Sequence, residues 1–544
     1  MAAKVKVATI PLVGVPTQRG IYPATALAAG KDQRYIAVFF QSLDNPQTNT
    51  KNIYAEKRNG WETSSTPAAG AKGNSIFRSS GLGANLSIFG STPTWTIYKD
   101  STSVGTLSVT PSGIISDAFL NGEYVGLFVT SGELYYLPAG AGTGGTFVGD
   151  THTNTTIDNI VSITGLYVGQ LLSGTGIAAN TRIQSIDSAT AITTTVATTA
   201  TNAGVTITRT GLSKVIDADF PSDAVGKAVE FNGYIFVATN SNKIYNCASN
   251  NVASWAASDY LTSYINATVS TIERYGNYIV AFGRNGVEFF VFAGNSSGSL
   301  LSHANININI GGINATGVSS LGNTVAFVGS PNGQDFGVYI LDGNDARKIS
   351  TPIIDGLLTS STYLDGFTYL GKRLISIHDG TASADPTFSY LYDFETGIWA
   401  ETAFTESYRI TGNAAGGVFS VSMDNTAGKI YILSRTTPTF TDDGAAYTMT
   451  IQTEPWDGGT QDWKQVIKYE LIGDTQASGT TTLAVSDDDY ATFTTLGTFD
   501  MTQPRKELYN GTWFQGSRAH QLTHSANTGW RAQALRITYR VGEM

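Results

Sequence analysis

The fold is decided by one stretch, KAVEFNGYIFVATNSNKIYN (residues 227–246) followed, after a polar loop, by TIERYGNYIVAFGRNGVEFFVF (residues 271–292). In each half an Asn- or Gly-bearing turn separates two short apolar runs, and a second polar turn leads into a third run. Apolar, β-branched and aromatic runs joined by such turns are the strongest short-range signal for β-hairpins. The stretch therefore predicts two successive units of antiparallel sheet.

The same pattern occurs eight times along the chain. The instances are residues 34–61, 85–99, 121–137, 232–246, 276–292, 322–341, 371–394 and 416–433. The turns at Asn232, Gly276, Gly322, Gly371 and Gly416 follow one another at intervals of roughly 45 residues, which is typical of four-stranded propeller blades. Because the interval between the second and third instances is short for four strands, we expect about seven blades, within a range of six to eight.

One interval interrupts the repeat. Residues 148–210 are rich in Thr and poor in aromatics, and their middle part alternates short apolar and polar runs. Loops of a rigid scaffold accept such insertions. We predict a small inserted β module with a core of Leu166, Val168, Leu171, Ile177, Ile183 and Ile186, and we interpret the preceding Gly-rich residues 140–150 as a linker. A flexible Thr-rich loop is the alternative.

The two ends of the chain differ from the repeats. Residues 1–30 contain Pro11, Pro16 and Pro23 and predict an extended arm, with a frayed terminus as the alternative. After residue 440 the strands become longer and alternate more regularly, which predicts a separate sandwich-like β domain over 441–544. The propeller is then expected over 31–147 and 211–440.

Two strands of the last domain carry specific face assignments. In WKQVIKYELIGD we expect the buried face to be formed by Trp463, Ile467, Tyr469 and Leu471, opposite Lys464, Lys468 and Glu470. In RAQALRITYRV we expect the buried face to be formed by Leu535, Ile537 and Tyr539, opposite Arg536, Thr538 and Arg540. Each assignment rests on the two-residue period of a strand.

Composition limits the function. The 544 residues contain only 14% charged residues, against about 25% in an average globular chain, and the net charge is −10. A protein that grips nucleic acid through phosphates normally has a basic face, which this composition does not indicate. No apolar run approaches the ~20 residues that span a bilayer, and the N-terminus lacks a signal-peptide core. We therefore expect a soluble chain made in the cytoplasm, without stable membrane insertion.

Few residues point to chemistry. The single cysteine, Cys247, excludes an intramolecular disulfide and is expected to be a semi-buried thiol. His520 and His524 would suit a metal site if they shared one face of a helix. They lie instead in GSRAHQLTHSANTGW, a loop-like stretch without the Glu of a zinc protease. Cofactors and metals are therefore not expected.

Acidic residues give no catalytic pair. A glycosidase needs two carboxylates across a cleft, or a Tyr nucleophile with arginines. The available acids sit at differing places in their repeats; they are Glu230, Glu273, Glu288, Asp342 and Asp355. The chain also lacks a G-x-S-x-G elbow and a P-loop. We predict that it is not an enzyme.

The stretch SDDDYATF (residues 486–493) resembles the Asp-box of sialidase-type propellers, with Tyr490 and Phe493 in place of Gly and Trp. In that motif the Asp side chain fixes the turn of a hairpin. The single occurrence predicts a hairpin rather than a sialidase. Calcium binding by Asp487, Asp488 and Asp489 is the alternative.

Three groups of motifs resemble the tail nozzle proteins of short-tailed bacteriophages, also called packaged-DNA stabilisation proteins. The groups are IPLVGVPTQRG (10–20); the core at 227–260 and 268–294, with its Ser-Trp loop and Gly-Val-Glu-Phe-Phe; and WKQVIKYELIGDTQ, LAVSDDDYATF and TGWRAQALRITYRV in the last domain. The 148–210 module resembles Thr/Gly-rich modules of other phage fibres, and we expect it to lie outside the family pattern, on the exterior of the particle.

The resemblance implies a structural virion protein in the tail, assembled in the host cytoplasm. Its copies, six in most relatives, would form a distal ring that extends the DNA channel below the portal and adaptor rings. The ring would retain packaged DNA until ejection, without sequence-specific binding, and would attach tail fibres or a tail needle. The alternatives are a carbohydrate-binding or glycoside-acting propeller protein, and another virion component such as a fibre or baseplate protein.

Overall fold

The computed structural model describes residues 5–13, 34–45, 50–91, 93–107, 109–264, 268–295, 298–379, 388–404, 407–412, 419–424, 426–434, 436 and 438–542. Within these residues the chain is built from 47 β-strands, numbered here in chain order, with one short helix at Pro352–Asp355 and two 3-10 turns at Ala139–Ala141 and Ala315–Gly317. The predicted all-β class is confirmed. The predicted turn at Gly416, and Pro16 and Pro23 of the arm, lie outside the described residues.

The described strands form seven four-stranded antiparallel blades. Blade 1 contains β6 (Lys72–Ser79), β7 (Ala84–Ser91), β8 (Thr94–Lys99) and β9 (Thr102–Leu107); blade 2 contains β10 (Pro111–Leu120), β11 (Glu123–Thr130), β12 (Glu133–Pro138) and β18 (Thr201–Lys214); blade 3 contains β19 (Ala224–Phe231), β20 (Tyr234–Thr239), β21 (Lys243–Ala248) and β22 (Asn251–Thr262). Blade 4 contains β23 (Val269–Tyr275), β24 (Tyr278–Gly283), β25 (Val287–Phe292) and β26 (Leu301–Ile308); blade 5 contains β27 (Val318–Leu321), β28 (Thr324–Gly329), β29 (Gly337–Asp342) and β30 (Asp345–Lys348). Blade 6 contains β31 (Tyr363–Tyr369), β32 (Lys372–His378), β33 (Ser389–Asp393) and β34 (Ile398–Glu401); blade 7 contains β35 (Ser407–Gly412), β36 (Phe419–Asp424), β37 (Ile430–Ser434) and β5 (Trp61–Ser65).

The blades close into a ring. Their first strands are β6, β10, β19, β23, β27, β31 and β35, and each of these inner strands contacts the next, with β35 returning to β6. Strand β5 precedes blade 1 in sequence but pairs with β37, so one strand from near the N-terminus completes the last blade. The β-propeller prediction is confirmed.

The opening stretch forms three strands of blade 3 and three strands of blade 4. The segment between its two halves, interpreted as a polar loop, contains β22 (Asn251–Thr262), the fourth strand of blade 3. Between β19 and β20 the turn residues Asn232 and Gly233 have φ of 55° and 80°. Positive φ at both central positions defines a type I′ turn, whose twist matches that of the flanking strands, and Asn-Gly adopts it at the lowest steric cost. The sequence pattern therefore fixes the pairing of these strands locally.

The prediction that residues 34–61 form the first repeat of the propeller was wrong. Residues 34–61 do contain a hairpin, β3 (Val38–Asn45) with β4 (Thr50–Lys57), but β4 pairs with β47 (Arg531–Val541) near the C-terminus. The hairpin therefore belongs to the sandwich, and the propeller begins at β5. Local hairpin patterns do not reveal this, because the partner strand lies more than 470 residues away.

The C-terminal domain is a two-layer sandwich that also contains strands from the N-terminal region. One sheet contains β1 (Val5–Pro11), β3, β4, β41 (Lys464–Gly473), β44 (Lys506–Tyr509), β45 (Trp513–Phe514) and β47. The other contains β2 (Arg34–Ile36), β40 (Met449–Gln452), β42 (Thr480–Ser486), β43 (Thr494–Asp500) and β46 (Ala519–His524). Apolar side chains from both sheets form one continuous core. The described part of the predicted arm, β1, is thus a strand paired with β47.

The face assignments had different outcomes. Leu535, Ile537 and Tyr539 are buried in β47, as expected. In β41 the assignment was wrong at its start, because the register shifts between Val466 and Lys468 and inverts the alternation. Val466 and even Lys464 are consequently buried.

The sandwich and the propeller are joined by shared hydrogen bonds. Strand β2 pairs with β34 of blade 6, so the second sandwich sheet continues into that blade. Arg58, which is buried between the two domains, donates to the carbonyl oxygen of Thr402 (2.8 Å) and to Asp442 Oδ1 (2.8 Å). A two-stranded ribbon, β38 (Thr441–Asp442) with β39 (Ala445–Ala446), lies where the chain passes from blade 7 back to the sandwich.

The inserted module lies between the third and fourth strands of blade 2. Its strands are β13 (Gly144–His152), β14 (Thr156–Asp158), β15 (Gln170–Ser173), β16 (Ile183–Ser188), β17 (Ala191–Thr194) and the first part of β18. Its core includes Leu166 and Ile183, as expected, whereas Ile186 is exposed, contrary to expectation. The Gly-rich residues 140–150 are not simply a linker, because Gly144–His152 pairs with β18.

Candidate functional site: the propeller axis

Polar side chains link neighbouring blades at each of the seven junctions of the described ring. At six junctions they join the inner strands, and between blades 4 and 5 the bond reaches Ile313, which precedes β27. Going round from blade 1, Ser79 Oγ donates to Asp117 Oδ2 (2.5 Å), Ser116 Oγ to the Ala228 carbonyl (2.6 Å), Lys227 Nζ to Glu273 Oε2 (2.5 Å), and Ser270 Oγ to the Ile313 carbonyl (2.7 Å). Gly366 N–H donates to Ser319 Oγ (2.9 Å), Arg409 Nη2 to Asp365 Oδ1 (2.7 Å), and Arg78 N–H to Thr411 Oγ1 (3.2 Å). The axis is therefore a continuous belt of inter-blade bonds.

The ionic members of this belt are largely removed from water. Asp365 and Arg409 are each 6% exposed, and Asp365 also accepts a hydrogen bond from the Ile410 N–H (3.2 Å). Burial raises the pKa of Asp365, and the adjacent Arg409 opposes that rise. A buried ion pair is costly to break, because the remaining charge loses both its partner and its hydration.

The remaining carboxylates of the belt are also held by neighbours. Glu273 is 4% exposed and binds Lys227, while burial raises the pKa of Asp117 against the opposing hydrogen bond from Ser79. These side chains form hydrogen bonds and ion pairs across blade junctions. The belt therefore joins neighbouring blades to one another around the propeller axis.

The other acids noted in the sequence are not brought together. Glu230 accepts from the Gly233 N–H (2.8 Å), and Glu288 accepts from Ser263 Oγ (2.6 Å) and lies 2.8 Å from His303 Nδ1. Asp355 binds Lys348 and Ser350, and Asp342 faces Arg347 at the surface. Each acid has a separate set of partners. In the described part of the chain no three His, Cys, Asp or Glu residues cluster as a metal site would require.

The two C-terminal histidines lie on a strand, not in the loop that the sequence predicted. His520 and His524 both belong to β46 and are buried with Leu522, while Gln521 and Thr523 point the other way. Residues four apart on a strand lie about 13 Å from each other. Burial lowers the pKa of His520 to about 3, and the nearby Arg518 adds to this effect. Both imidazoles are thus core residues of the sandwich.

The Asp-box-like stretch forms the turn between β42 and β43, as predicted. Asp488 accepts hydrogen bonds from Ser486 Oγ (2.8 Å), Thr492 N–H (2.9 Å) and Thr492 Oγ1 (2.5 Å). These bonds lower the pKa of Asp488 to about 2. Asp487 instead forms a two-pronged pair with Arg518, at 2.7 Å on each side. The neighbouring carboxylates therefore serve different local contacts.

The thiol of Cys247, the single cysteine, is a core group. Its side chain is 1% exposed, and burial raises its pKa to about 12.

In the described chain no helix is long and apolar enough to cross a membrane.

The sequence did not identify the axial belt. Its residues are single polar positions, such as Lys227, Asp365 and Arg409, within otherwise apolar inner strands. A polar residue in the first strand of each hairpin was the available signal. It becomes interpretable only when the inner strands are placed side by side.

A protein-family model described as "Bacteriophage P22 Gp10, beta-propeller" matches residues 155–367. The matched region runs from the inserted module through blades 3 to 5 into the first strand of blade 6. Fold and match together support a β-propeller similar to that of a bacteriophage structural protein. The match confirms, over this region, the predicted resemblance to phage tail proteins of the nozzle or stabilisation type, which are components of the virion tail.

The extent of the match corrects one expectation. The inserted module was expected to lie outside the family pattern, but the match begins at residue 155, within it. Its strands and those of blade 2 form one continuous sheet through β18, so module and blade are not structurally separate. The match does not reach residues 10–20 or the C-terminal domain, whose resemblance stays a prediction.

Solved structures match at low similarity. A structure titled as BBS1N in complex with ARL6DN is 13% identical, covers 70% of this chain and 99% of that chain, and has a TM-score of 0.35. The computationally designed Ika8 protein is 8% identical, with coverages of 69% and 100% and a TM-score of 0.36. BamB from Moraxella catarrhalis is 12% identical, with coverages of 70% and 99% and a TM-score of 0.34. No curated protein matches the chain.

Proposed function

We propose that this chain forms a ring of copies, six as in the nozzle proteins it resembles, at the distal end of a phage tail. The ring extends the DNA channel below the portal and adaptor rings and retains packaged DNA until ejection. It also attaches other tail components, such as fibres or a needle. The observation that carries this proposal is the family match over residues 155–367.

The structure of the propeller supports a mechanical role. A wall that holds packaged DNA must resist deformation, and polar contacts link each blade of the described ring to both neighbouring blades. Closure of blade 7 by β5 adds a further constraint, since the ring cannot open without breaking the β5–β37 ladder. These contacts favour a rigid body over one that changes shape around a substrate.

The charge of the chain supports passage of DNA without adhesion. The net charge is −10, and the cations of the belt are already engaged by carboxylates or backbone groups. Non-specific binding to DNA requires several accessible cations that can replace phosphate counterions. The chain should therefore bind duplex DNA weakly, even at low salt.

Removal of the chain from the phage tests the proposal. Particles assembled without it should show tails that lack a distal ring in electron micrographs and should lose their DNA. Restoring the wild-type chain during assembly should restore both features. Intact tails with stably packaged DNA in its absence would contradict the proposal. A glycan array and a reducing-sugar assay, both expected to be silent, separate this function from carbohydrate recognition or cleavage.

A further inference from the structure

Strand β5 closes the propeller through a short ladder. It pairs with β37 at four positions, from Trp61 opposite Leu433 to Ser65 opposite Ile430, and the register shifts once within that run. Among the residues of β5 only Trp61 is buried, so the strand contributes little apolar packing of its own. Segments with few buried apolar contacts open locally at a low free-energy cost. The ladder alone would therefore close the ring weakly.

The position of β5 is set by the sandwich. Only residues 58–60, called the strap below, separate the end of β4 from the start of β5. Strand β4 is held between β3 and β47 of the sandwich. Its last residue, Lys57, donates its N–H to the carbonyl oxygen of Trp530 (2.9 Å). Because the strap is so short, β5 cannot move far unless β4 or the strap moves as well.

The strap is buried and bonded to the propeller side of the joint. The Asn59 side chain donates from Nδ2 to the Tyr369 hydroxyl of blade 6 (2.7 Å). The Gly60 N–H donates to the carbonyl oxygen of Thr439 (2.7 Å), in the segment that leads from blade 7 back to the sandwich. The strap therefore contacts both the incoming and the outgoing connection between the two domains.

Arg58 provides the charged contacts of the strap. Its side chain is 1% exposed and donates to the Thr402 carbonyl oxygen (2.8 Å) and to Asp442 Oδ1 (2.8 Å). The same Asp442 oxygen accepts the N–H of Trp61, the first residue of β5 (3.0 Å). The Tyr447 ring covers the guanidinium at 4.2 Å. Since a buried ion pair is costly to separate, displacement of β5 would have to disturb this network.

A second buried cation holds the sandwich end of the strap. Lys57 is 1% exposed, and its Nζ donates to the carbonyl oxygens of Ala526 (2.8 Å) and Tyr447 (3.3 Å). The Tyr447 hydroxyl in turn donates to the carbonyl oxygen of Arg58. Residues 57–61 thus form one continuous buried network that includes the sandwich, blade 6 and the closing strand of blade 7.

We propose that the sandwich holds the propeller ring closed. Strand β5 leaves β37 only when the strap and the sandwich strands around it also open, so the two domains share one cooperative opening. Domains of one chain ordinarily move and open separately. The device lies within the single chain, so it does not depend on the ring of copies proposed above and can be tested on the purified protein.

Native-state hydrogen exchange of the full chain, resolved by peptide mass spectrometry, tests this coupling. Leu522→Ala truncates a fully buried side chain of the sandwich core in β46, a strand that does not pair with β5. Exchange in the peptide that covers β37 should accelerate by a factor of about 30 or more, in parallel with exchange in β46. Leu172→Ala, the matched truncation in the core of the inserted module, should leave β37 near its wild-type rate. Thr523→Ala, on the opposite face of β46, should also leave it unchanged.

A milder variant keeps the test available if Leu522→Ala does not fold. Ile451→Val removes one methyl group from the same sandwich core, at a fully buried position of β40. It should accelerate exchange in β37 and in β46 together, by about two- to tenfold. Acceleration in β46 without acceleration in β37, in either variant, would overturn the inference. Equal acceleration of β37 by Leu172→Ala would overturn it too, because the coupling would not be specific to the sandwich.

Lengthening the connection tests the strap itself. A Gly-Ser-Gly-Ser insertion between Gly60 and Trp61 lets β4 and β5 keep their ladders but removes the short link between them. Exchange in β37 should then accelerate while exchange in β46 stays at the wild-type rate, because the sandwich no longer fixes the position of β5. Unchanged exchange in β37 would show that the ring stays closed without the strap and would contradict the inference.

Discussion

The inner strands of the propeller and strand β1 at the edge of the sandwich differ in how many of their neighbours they bond to. At the axis each blade of the described ring is bonded to both neighbouring blades, and the ion pairs Lys227–Glu273 and Arg409–Asp365 are largely buried. Within the described residues β1 pairs with β47 alone, so alternate backbone groups of β1 point away from that ladder, and Val5 and Val7 are exposed. The inner strands of the propeller are engaged on both sides within the described chain, whereas β1 is engaged on one side.

This difference assigns separate tasks to the two regions. Substitutions at the axis should therefore change the stability of the chain, whereas substitutions of the exposed side chains of β1 should leave it stable. Arg409→Leu and Val7→Lys test this division, whereas His520→Leu and Gly60→Ala test the packing of the sandwich core and of the joint between the domains.

The largest effect is expected for Arg409→Leu at the axis. The variant leaves the Asp365 carboxylate buried without its cation, which typically costs about 3–5 kcal/mol of unfolding free energy. Urea denaturation of the isolated chain measures it. Arg347→Leu removes an exposed, 3.9 Å partner of Asp342 and should cost at most about 1 kcal/mol. Equal costs for the two variants would contradict a cohesive axis.

A pH effect of comparable size is expected in the sandwich core. Burial lowers the pKa of His520 to about 3, whereas the unfolded imidazole titrates near its ordinary value of 6.5. Between these values the unfolded state binds one more proton, so His520 makes stability fall by about 1.4 kcal/mol for each unit that the pH drops. Burial also lowers the pKa of His524, which acts in the same direction.

In His520→Leu the unfolding free energy should therefore depend less steeply on pH, by the slope that one bound proton contributes. Denaturation between pH 7 and pH 4 measures this slope. Gln521→Leu, at the next residue on the opposite face of β46, should keep the wild-type slope. An unchanged slope in His520→Leu would show that the imidazole is protonated within the folded core.

A smaller effect is expected where the chain passes from sandwich to propeller. Gly60 lies so close to the Thr441 carbonyl oxygen that an added Cβ would be 1.8 Å from it. In Gly60→Ala the added methyl group must displace either the backbone at residue 60 or the backbone at Thr441, and overpacking of this kind costs about 1–3 kcal/mol. Gly511→Ala, with nothing within 4 Å of the added atom, is the control. Thermal unfolding measures both; equal transitions would show that the joint is loosely packed.

The smallest effect on stability is expected for Val7→Lys, because the side chain is already 61% exposed in the isolated chain. Exposed substitutions of this kind change unfolding free energy by about 0.5 kcal/mol or less. Denaturation of the purified chain measures this change. A clear loss of stability would mean that Val7 contributes to the core of the sandwich.

The sequence was sufficient where the deciding interactions are local. Asn232 and Gly233 specify a hairpin turn through their own backbone preferences, and the repetition of such turns predicts a propeller. The Asp488 turn was predictable for the same reason, because its hydrogen-bond partners lie within four residues.

The sequence failed where distant strands decide the outcome. The hairpin of β3 and β4 has the same local pattern as a blade, yet β47 recruits it to the sandwich. The irregular register at Val466 in β41 reverses the buried face, and the alternation of His520, Leu522 and His524 was overlooked because histidine is not apolar. The partners of Lys227 and Asp365 at the axis depend on ring closure, which no short window contains.

A reconstruction of the intact virion tail tests the central claim most directly. We expect a closed ring of copies of this chain at the distal end of the tail, with the polar contacts of the propeller axis formed within each copy. A tail without this chain, or a ring whose copies meet through their propeller axes, would contradict this expectation.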